Sequence, residues 1–234
     1  MDEKEILFED ESVIVIHKKP GTAVQTSRTG EMDYVSLLKN HRAARGEDPY
    51  IAVIHRLDQP VEGIVLFAKN AKDAAILSGE LARGDMEKYY LAVVTDHELP
   101  SEGALTDFIR KDEKTNLSKI VSEETKNAKK AQLTFRKLKT DGKHALVEIH
   151  LLTGRHHQIR VQMASRGWPV FGDRKYGSVR ENAPYHPLAL CGYRLSFMHP
   201  KDGKVKEFEI SPKGGVFQLS GLAVDCESFR EYRI

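Results

Sequence analysis

Four stretches of this 234-residue sequence concentrate side chains that could do chemistry. In the first, His55-Arg56-Leu57-Asp58 is followed by Gly63 and Ala68-Lys69. An apolar run, IAVI, leads into it and GIVLFAK leads out, so Asp58 is expected on a polar loop anchored by a strand on each side. Loops held by a rigid scaffold are where reactive groups are placed. A carboxylate there can serve as acid, base or nucleophile, and equally as a turn-former or helix cap. His55 alone is more often a hydrogen-bonded structural histidine than a catalyst.

The second stretch is Lys88-Tyr89-Tyr90-Leu91-Ala92. Alternation along a strand sends Tyr89 and Tyr90 to opposite faces, so only one can reach a site. The third is Gly154-Arg155-His156-His157-Gln158-Ile159-Arg160. A helix over about 156–166, ended by Gly167, would make His156 and Arg160 neighbours at i,i+4. Adjacent histidines lack the i,i+4 spacing of a helical zinc pair, and no nearby Cys or Glu completes a set. Arg155 and Arg160 suit phosphate or carboxylate binding better, because a guanidinium presents a planar fork of donors. The fourth is Gly172-Asp173-Arg174-Lys175-Tyr176-Gly177, in which aromatic and basic residues interleave with two glycines. Such a loop could follow a nucleic-acid backbone or simply connect two packed elements.

The elements that must position these groups follow from turn and cap signals. The opening ILFEDESVIVIHKKPGTAVQ alternates β-rich runs with turn residues. Asp33 is expected to cap a helix to about Ala44 stopped by Gly46, and Asn70 a helix over roughly 71–82 stopped by Gly84. IAVIHRLD reads as a strand running out into polar residues, and GIVLFAK and EKYYLAVV as further strands. Three or four more lie between 104 and 151, with Asp141-Gly142 as a hairpin turn. A last hairpin joins 188–198 to 204–210. Strands dominate and most are hairpin-connected, which predicts an α+β fold: a mixed, largely antiparallel sheet with flanking helices around a central cleft. The expected organisation is a single catalytic domain over 1–234, with two subdomains about the cleft as the alternative. The role of 213–234 is left open.

Composition bounds the setting. Hydrophobic residues make up 40% and charged residues 30%, with no low-complexity tract, which excludes a disordered chain. No apolar run approaches the ~20 residues of a membrane helix, and the acidic start lacks the pattern of a signal peptide. Cys191 and Cys226 are too few and too far apart for a disulfide framework or zinc site. A cytoplasmic protein is expected. The net charge of +2 is uninformative, but its distribution is not. Residues 1–12 hold six acids and one Lys, whereas 151–180 hold six Arg/Lys and one acid, Asp173. Residues 126–143 are also basic, and clustered cations of this kind fit a polyanion.

Taken together, the four stretches resemble the RluA family of RNA pseudouridine synthases. HRLD, then G and AK, is matched by His55–Asp58, Gly63 and Ala68-Lys69; KxY by Lys88 to Tyr90; GR-x-HQIR by Gly154 to Arg160; GD-x-x-YG by Gly172 to Gly177. HRLD alone would arise by chance in roughly one chain in a thousand of this length, and three further elements follow in order. The opening segment and ALCGYRLSFMHP extend the likeness over about 5–210.

The resemblance implies an isomerase that converts uridine to pseudouridine in ribosomal or transfer RNA. Asp58 would be the catalytic aspartate, Tyr90 the ring that stacks on the target uracil, and Arg160 the basic partner of Asp58. Arg56 would help fill the space of the extruded nucleotide, and His55, Arg155, His157, Lys88 and Tyr176 would contribute to the RNA site. It implies no metal, no organic cofactor and RNA as the partner; no membrane and no obligate protein partner are expected, with a monomer as the default. An N-terminal S4-type RNA-binding domain is not expected. The chain departs from the pattern at Val61-Glu62, where the family usually has Thr-Ser, and at His156, where it usually has Thr or Ser. Glu62 places an extra negative charge near Asp58.

Overall fold

The computed structural model describes residues 3–26, 30–177, 185–213, 217 and 222. In chain order its strands and helices are β1 (Ile6–Glu9), β2 (Val13–Lys18), α1 (Tyr34–Ala44), β3 (Ala52–Val53), β4 (Glu62–Ala68), α2 (Ala71–Arg83), β5 (Glu87–Thr95), β6 (Glu102–Asp112), β7 (Leu117–Val121), β8 (Lys129–Thr140), β9 (His144–Leu151), α3 (Gln158–Ala164), β10 (Leu190–Met198) and β11 (Val205–Glu209). The chain divides into two compact units, Met1–Glu87 with Gly192–Ile210, and Lys88–Cys191 with Ser211–Ile234. The fold class is α+β with a largely antiparallel sheet, as expected. The tail falls almost wholly outside the described residues.

In the first unit the strand order is β1-β2-β4-β10, with β3 also pairing β4 and β11 pairing β10. β2 and β4 run antiparallel from Val13 opposite Ala68 to Lys18 opposite Gly63. Every residue of both strands is buried, so they read as unbroken apolar runs rather than alternating ones. Each large aliphatic side chain so buried contributes about 1.5–3 kcal/mol. The exceptions to their apolar character are His17, Lys18 and Glu62. The caps lie where the sequence puts them: Asp33 Oδ1 accepts from Ser36 N at 2.7 Å, and Asn70 Oδ1 accepts from Asp73 N at 2.9 Å.

The second unit carries β5-β9-β8-β6-β7, all neighbours antiparallel, with Asp141 and Gly142 in the turn between β8 and β9. Helix α3 lies against this sheet through Val161, which packs with Ile109 and Ala131.

The strand ahead of Asp58 is short: β3 ends at Val53, and His55–Asp58 run as irregular backbone, the polar loop expected there. One expectation fails locally. The helix expected over 156–166 spans only Gln158–Ala164, because His157 sits in the left-handed region at φ 52° and cannot be a helical residue. His156 is therefore outside the helix, and the i,i+4 relation with Arg160 does not exist.

Candidate active site

Asp58 lies half-buried on the turn between β3 and β4, and the backbone of that turn is tied down carbonyl by carbonyl. The Asp58 carbonyl accepts from Val61 N at 3.0 Å, and the Gln59 carbonyl accepts from Gly21 N at 2.9 Å. Gln59 Nε2 returns a bond to the Gly21 carbonyl at 2.9 Å. The central tie is Lys18, whose residue exposure is 0%. Its ammonium donates to the carbonyls of Val61 (2.7 Å), Gln59 (3.0 Å) and Lys19 (3.0 Å), which uses all three of its protons.

Burial pushes the Lys18 pKa down to about 8, and the charges of Asp58 and Glu62 oppose that fall. A lysine in this environment places a positive charge beside the Asp58 carboxylate. Glu62, 5% exposed, has Oε1 2.8 Å from Nε2 of His17, which is itself 8% exposed. Leu66 N donates to His55 Nε2 at 3.3 Å, so that nitrogen is an acceptor and the ring is fixed against β4. Arg56 is exposed.

The glycine of the first motif has a steric reason. At Gly63 (φ +150°) an added Cβ would lie 2.6–2.8 Å from the Gly192 backbone on β10. No side chain fits that approach.

In the second unit Arg160 is buried in α3 and grips Asp173. Nε donates to Oδ2 at 2.7 Å and Nη2 to Oδ1 at 2.8 Å. Burial alone would raise the Asp173 pKa, but the bond and charge of Arg160, with N–H donors from Lys175 and Tyr176, outweigh it and hold the carboxyl below its usual range. Arg160 also lies over the ring of Tyr176, 5.3 Å from its centroid. Tyr176 Oη accepts from Ser118 N at 2.7 Å and lies 2.8 Å from His157 Nδ1. His157 stacks on His156 at 3.7 Å between centroids. Ser118 Oγ donates to the His156 carbonyl at 2.7 Å and stands 2.9 Å from His156 Nδ1. Ser118, at the start of β7, is thereby fastened to the residues that flank Arg160.

Gly172, the glycine of the fourth motif, has φ +78°, and a Cβ there would meet the Pro187 carbonyl oxygen. Tyr90 is buried on β5 opposite Ile149, while Tyr89 faces the other way and stacks on His150 at 4.3 Å. Lys88 is buried too, and burial lowers its pKa. Arg155 Nε donates to the Lys130 carbonyl at 2.8 Å. The first unit thus carries Asp58, Arg56 and His55, and the second Tyr90, Arg160, Arg155, His157, Lys88 and Tyr176.

Residues 12–165 match the RNA pseudouridylate synthase family. The chain belongs to that family. It is 33% identical over 201 residues to YhcT of Bacillus subtilis, an uncharacterized RNA pseudouridine synthase, over 85% of this chain and 65% of that one. It is 31% identical over 205 residues to the uncharacterized RNA pseudouridine synthase MG209 homolog of Mycoplasma pneumoniae, over 88% and 65%. With ribosomal large subunit pseudouridine synthase D of Neisseria meningitidis serogroup A the identity is 30% over 234 residues, covering 92% and 60%. The chain therefore spans about 65% of the length of the first two of these synthases. The backbone resembles human RNA pseudouridylate synthase domain containing 4 and domain containing 1, each with a TM-score of 0.75, at 22% and 21% identity. These alignments cover 94% and 97% of this chain and 93% of each human chain, a likeness of fold. The RluA-family resemblance carried by the four motifs agrees with this membership.

Sequence reasoning about this synthase-family chain missed Lys18, which looks like one of two ordinary cations in His17-Lys18-Lys19. The available signal was position: Lys18 ends a strand of buried aliphatics and precedes a Pro-Gly turn. It also gave no partner for Glu62, which the fold supplies as His17, forty-five residues earlier.

Proposed function

We propose that this chain isomerises uridine to pseudouridine in RNA, with Asp58 as the catalytic carboxylate. The observation that carries the reading is the Asp58 turn itself. It is a motif loop in a family member, clamped by a buried ammonium that supplies a positive charge beside the acid. A uracil within structured RNA must first be unstacked, at a cost of a few kcal/mol. Stacking on an aromatic ring returns about 1–3 kcal/mol, and Tyr90 is the ring assigned to it. With Asp58 ionised, the C1′–N1 bond breaks, the detached uracil turns, C5 joins C1′, and the C5 proton is lost to solvent while N1 gains one. Arg160, with its orientation fixed by Asp173, is the cation of the site. Arg56 is exposed and suited to the place left by the extruded nucleotide. The RNA is ribosomal or transfer RNA, recognised through the basic stretches 126–143 and 151–180. The protein is cytoplasmic and acts as a monomer without an obligate protein partner. Among the described residues no helix is long and apolar enough to cross a membrane.

The test is tritium release from transcripts carrying 5-tritiated uridine, with wild type and Asp58→Asn compared on ribosomal and transfer RNAs separately. Release by wild type and at least a thousandfold less by Asp58→Asn is the expected result, on the order of what loss of a group acting in the chemical step costs. Equal release by both proteins would remove Asp58 from the mechanism. No release from any transcript, with tight RNA binding by both, would make the chain an RNA-binding module.

A further inference from the structure

Three ionisable side chains, His17, Lys18 and Glu62, are buried together at the ends of β2 and β4, two strands whose remaining positions are almost entirely apolar or glycine. Taking such groups out of water is costly, and a serine at position 62, the residue the motif usually carries, would avoid one of the three ionisable groups. The cluster is also placed with direction. Glu62 follows Val61, whose carbonyl is the shortest of the three that Lys18 holds. Lys18 in turn holds the turn just past Asp58 by the carbonyls of Gln59 and Val61, and its third bond goes to the carbonyl of its own neighbour, Lys19.

We propose that Glu62, oriented by His17, is a positioning residue: it keeps Lys18 charged, and the charged Lys18 fixes the turn that presents Asp58. Three protons are needed for three carbonyls, and a neutral amine has two. Loss of the ammonium charge therefore leaves two protons for three carbonyls, two of them on the turn, and removes the positive charge beside Asp58 in the same step. The charged and titratable groups that face Lys18 are Asp58 and Glu62, with His17 behind Glu62. Of these, Asp58 is assigned to the chemistry, and Glu62 is the one held by His17. The departure at Val61-Glu62 is on this account a device of the chain and not a defect in the motif.

The inference rests on Asp58 being the catalytic group, and its test is chosen to separate the two. Glu62→Gln keeps the shape and the contact to His17 but removes the charge; Glu62→Asp keeps the charge. The rate of pseudouridine formation is measured from pH 6 to 10 for wild type and both variants. The expected result is an alkaline limb near pH 8 in wild type, displaced downward by about one unit in Glu62→Gln, so that kcat at pH 8 falls about fivefold with KM for RNA unchanged. Glu62→Asp keeps the limb at its wild-type position. If Glu62→Gln does not fold, Glu62→Ser is measured in its place, with the same displacement expected.

Identical profiles for the neutral variant and wild type would overturn the proposal. So would an equal loss in Glu62→Gln and Glu62→Asp, which would make the size of the side chain, not its charge, the relevant property. If the wild type modifies no RNA, the activity reading fails by itself. The Lys18 titration is then read from side-chain NMR of lysine-labelled protein. A downward move in Glu62→Gln there supports the charge link, and no move defeats it.

Discussion

Arg160 and Asp173 form a two-bonded, fully buried ion pair across thirteen residues of sequence, with Nε–Oδ2 at 2.7 Å and Nη2–Oδ1 at 2.8 Å. The pair joins α3 to the Gly172–Gly177 loop and sets the plane of the guanidinium. Removing one member leaves the other charge buried without compensation, which costs about 3–5 kcal/mol. Asp173→Ala is therefore expected to lose that amount in urea unfolding and to lose turnover with it, since Arg160 is no longer oriented. The pH dependence has a defined sign. The folded carboxyl titrates below its unfolded value, so its stabilisation is complete above about pH 4 and is lost as pH falls through the lowered folded value. Acid unfolding of Asp173→Asn should lack that component.

Tyr176 is the hub between the β6–β7 hairpin and α3, because its hydroxyl meets both Ser118 N and His157 Nδ1. Tyr176→Phe keeps the ring over Arg160 and deletes only the oxygen. One buried amide and one ring nitrogen lose a partner, a cost of about 1–3 kcal/mol. Amide hydrogen exchange at Ser118 should quicken in Tyr176→Phe, while the amides of β2 and β4 keep wild-type protection. Unchanged exchange at Ser118 would mean that the hairpin is held by its ladder alone.

Gly63→Ala is expected to be the most damaging single-methyl change near Asp58. The new Cβ would stand 2.6–2.8 Å from the oxygen, nitrogen and Cα of Gly192, and backbone in a sheet has no flexible end that can yield. Overpacking of this kind costs about 1–3 kcal/mol, and the positive φ adds strain of similar size. A lowered melting temperature is predicted, whereas Gly142→Ala, in a turn with open space at its Cβ position, should cost less.

How far these features were legible in the sequence depended on whether the deciding interaction was local. Asp33 and Asn70 cap their helices through bonds three residues ahead, and Asp141 accepts from Lys143 N and His144 N within its own turn. Local spacing is enough to foresee such bonds. The shortened α3 was hidden because His157 is pulled into a left-handed conformation among partners far along the chain, Tyr176 directly and Ser118 through Tyr176 and His156. Asp58, Gly63 and Arg160 stood out by motif, but the motif says nothing of what holds them. The roles of Lys18 and the His17–Glu62 pair emerge only once β2 and β4 are in register, from Lys18 opposite Gly63 to Val13 opposite Ala68.

Lys18 offers the sharpest separation of charge from packing. Its pKa of about 8 in the fold lies below the 10.5 of an ordinary lysine. Below pH 8 folded and unfolded chains both carry the proton, and the contribution of Lys18 to stability is constant. Between pH 8 and 10.5 the unfolded chain binds a proton that the folded chain has released, so stability rises with pH relative to a variant lacking the amine. Lys18→Met removes the amine and keeps the length of the stem. The difference in unfolding free energy between wild type and Lys18→Met should therefore move in favour of wild type by up to roughly 3 kcal/mol across that window. Turnover should go the opposite way, falling in wild type over the same pH range as the clamp loses its third proton. A stability difference that stays flat with pH would mean that Lys18 is solvated in solution and does not hold the Asp58 turn by its charge. A fall in wild-type turnover that Lys18→Met reproduces at the same pH would assign the alkaline limb to another group.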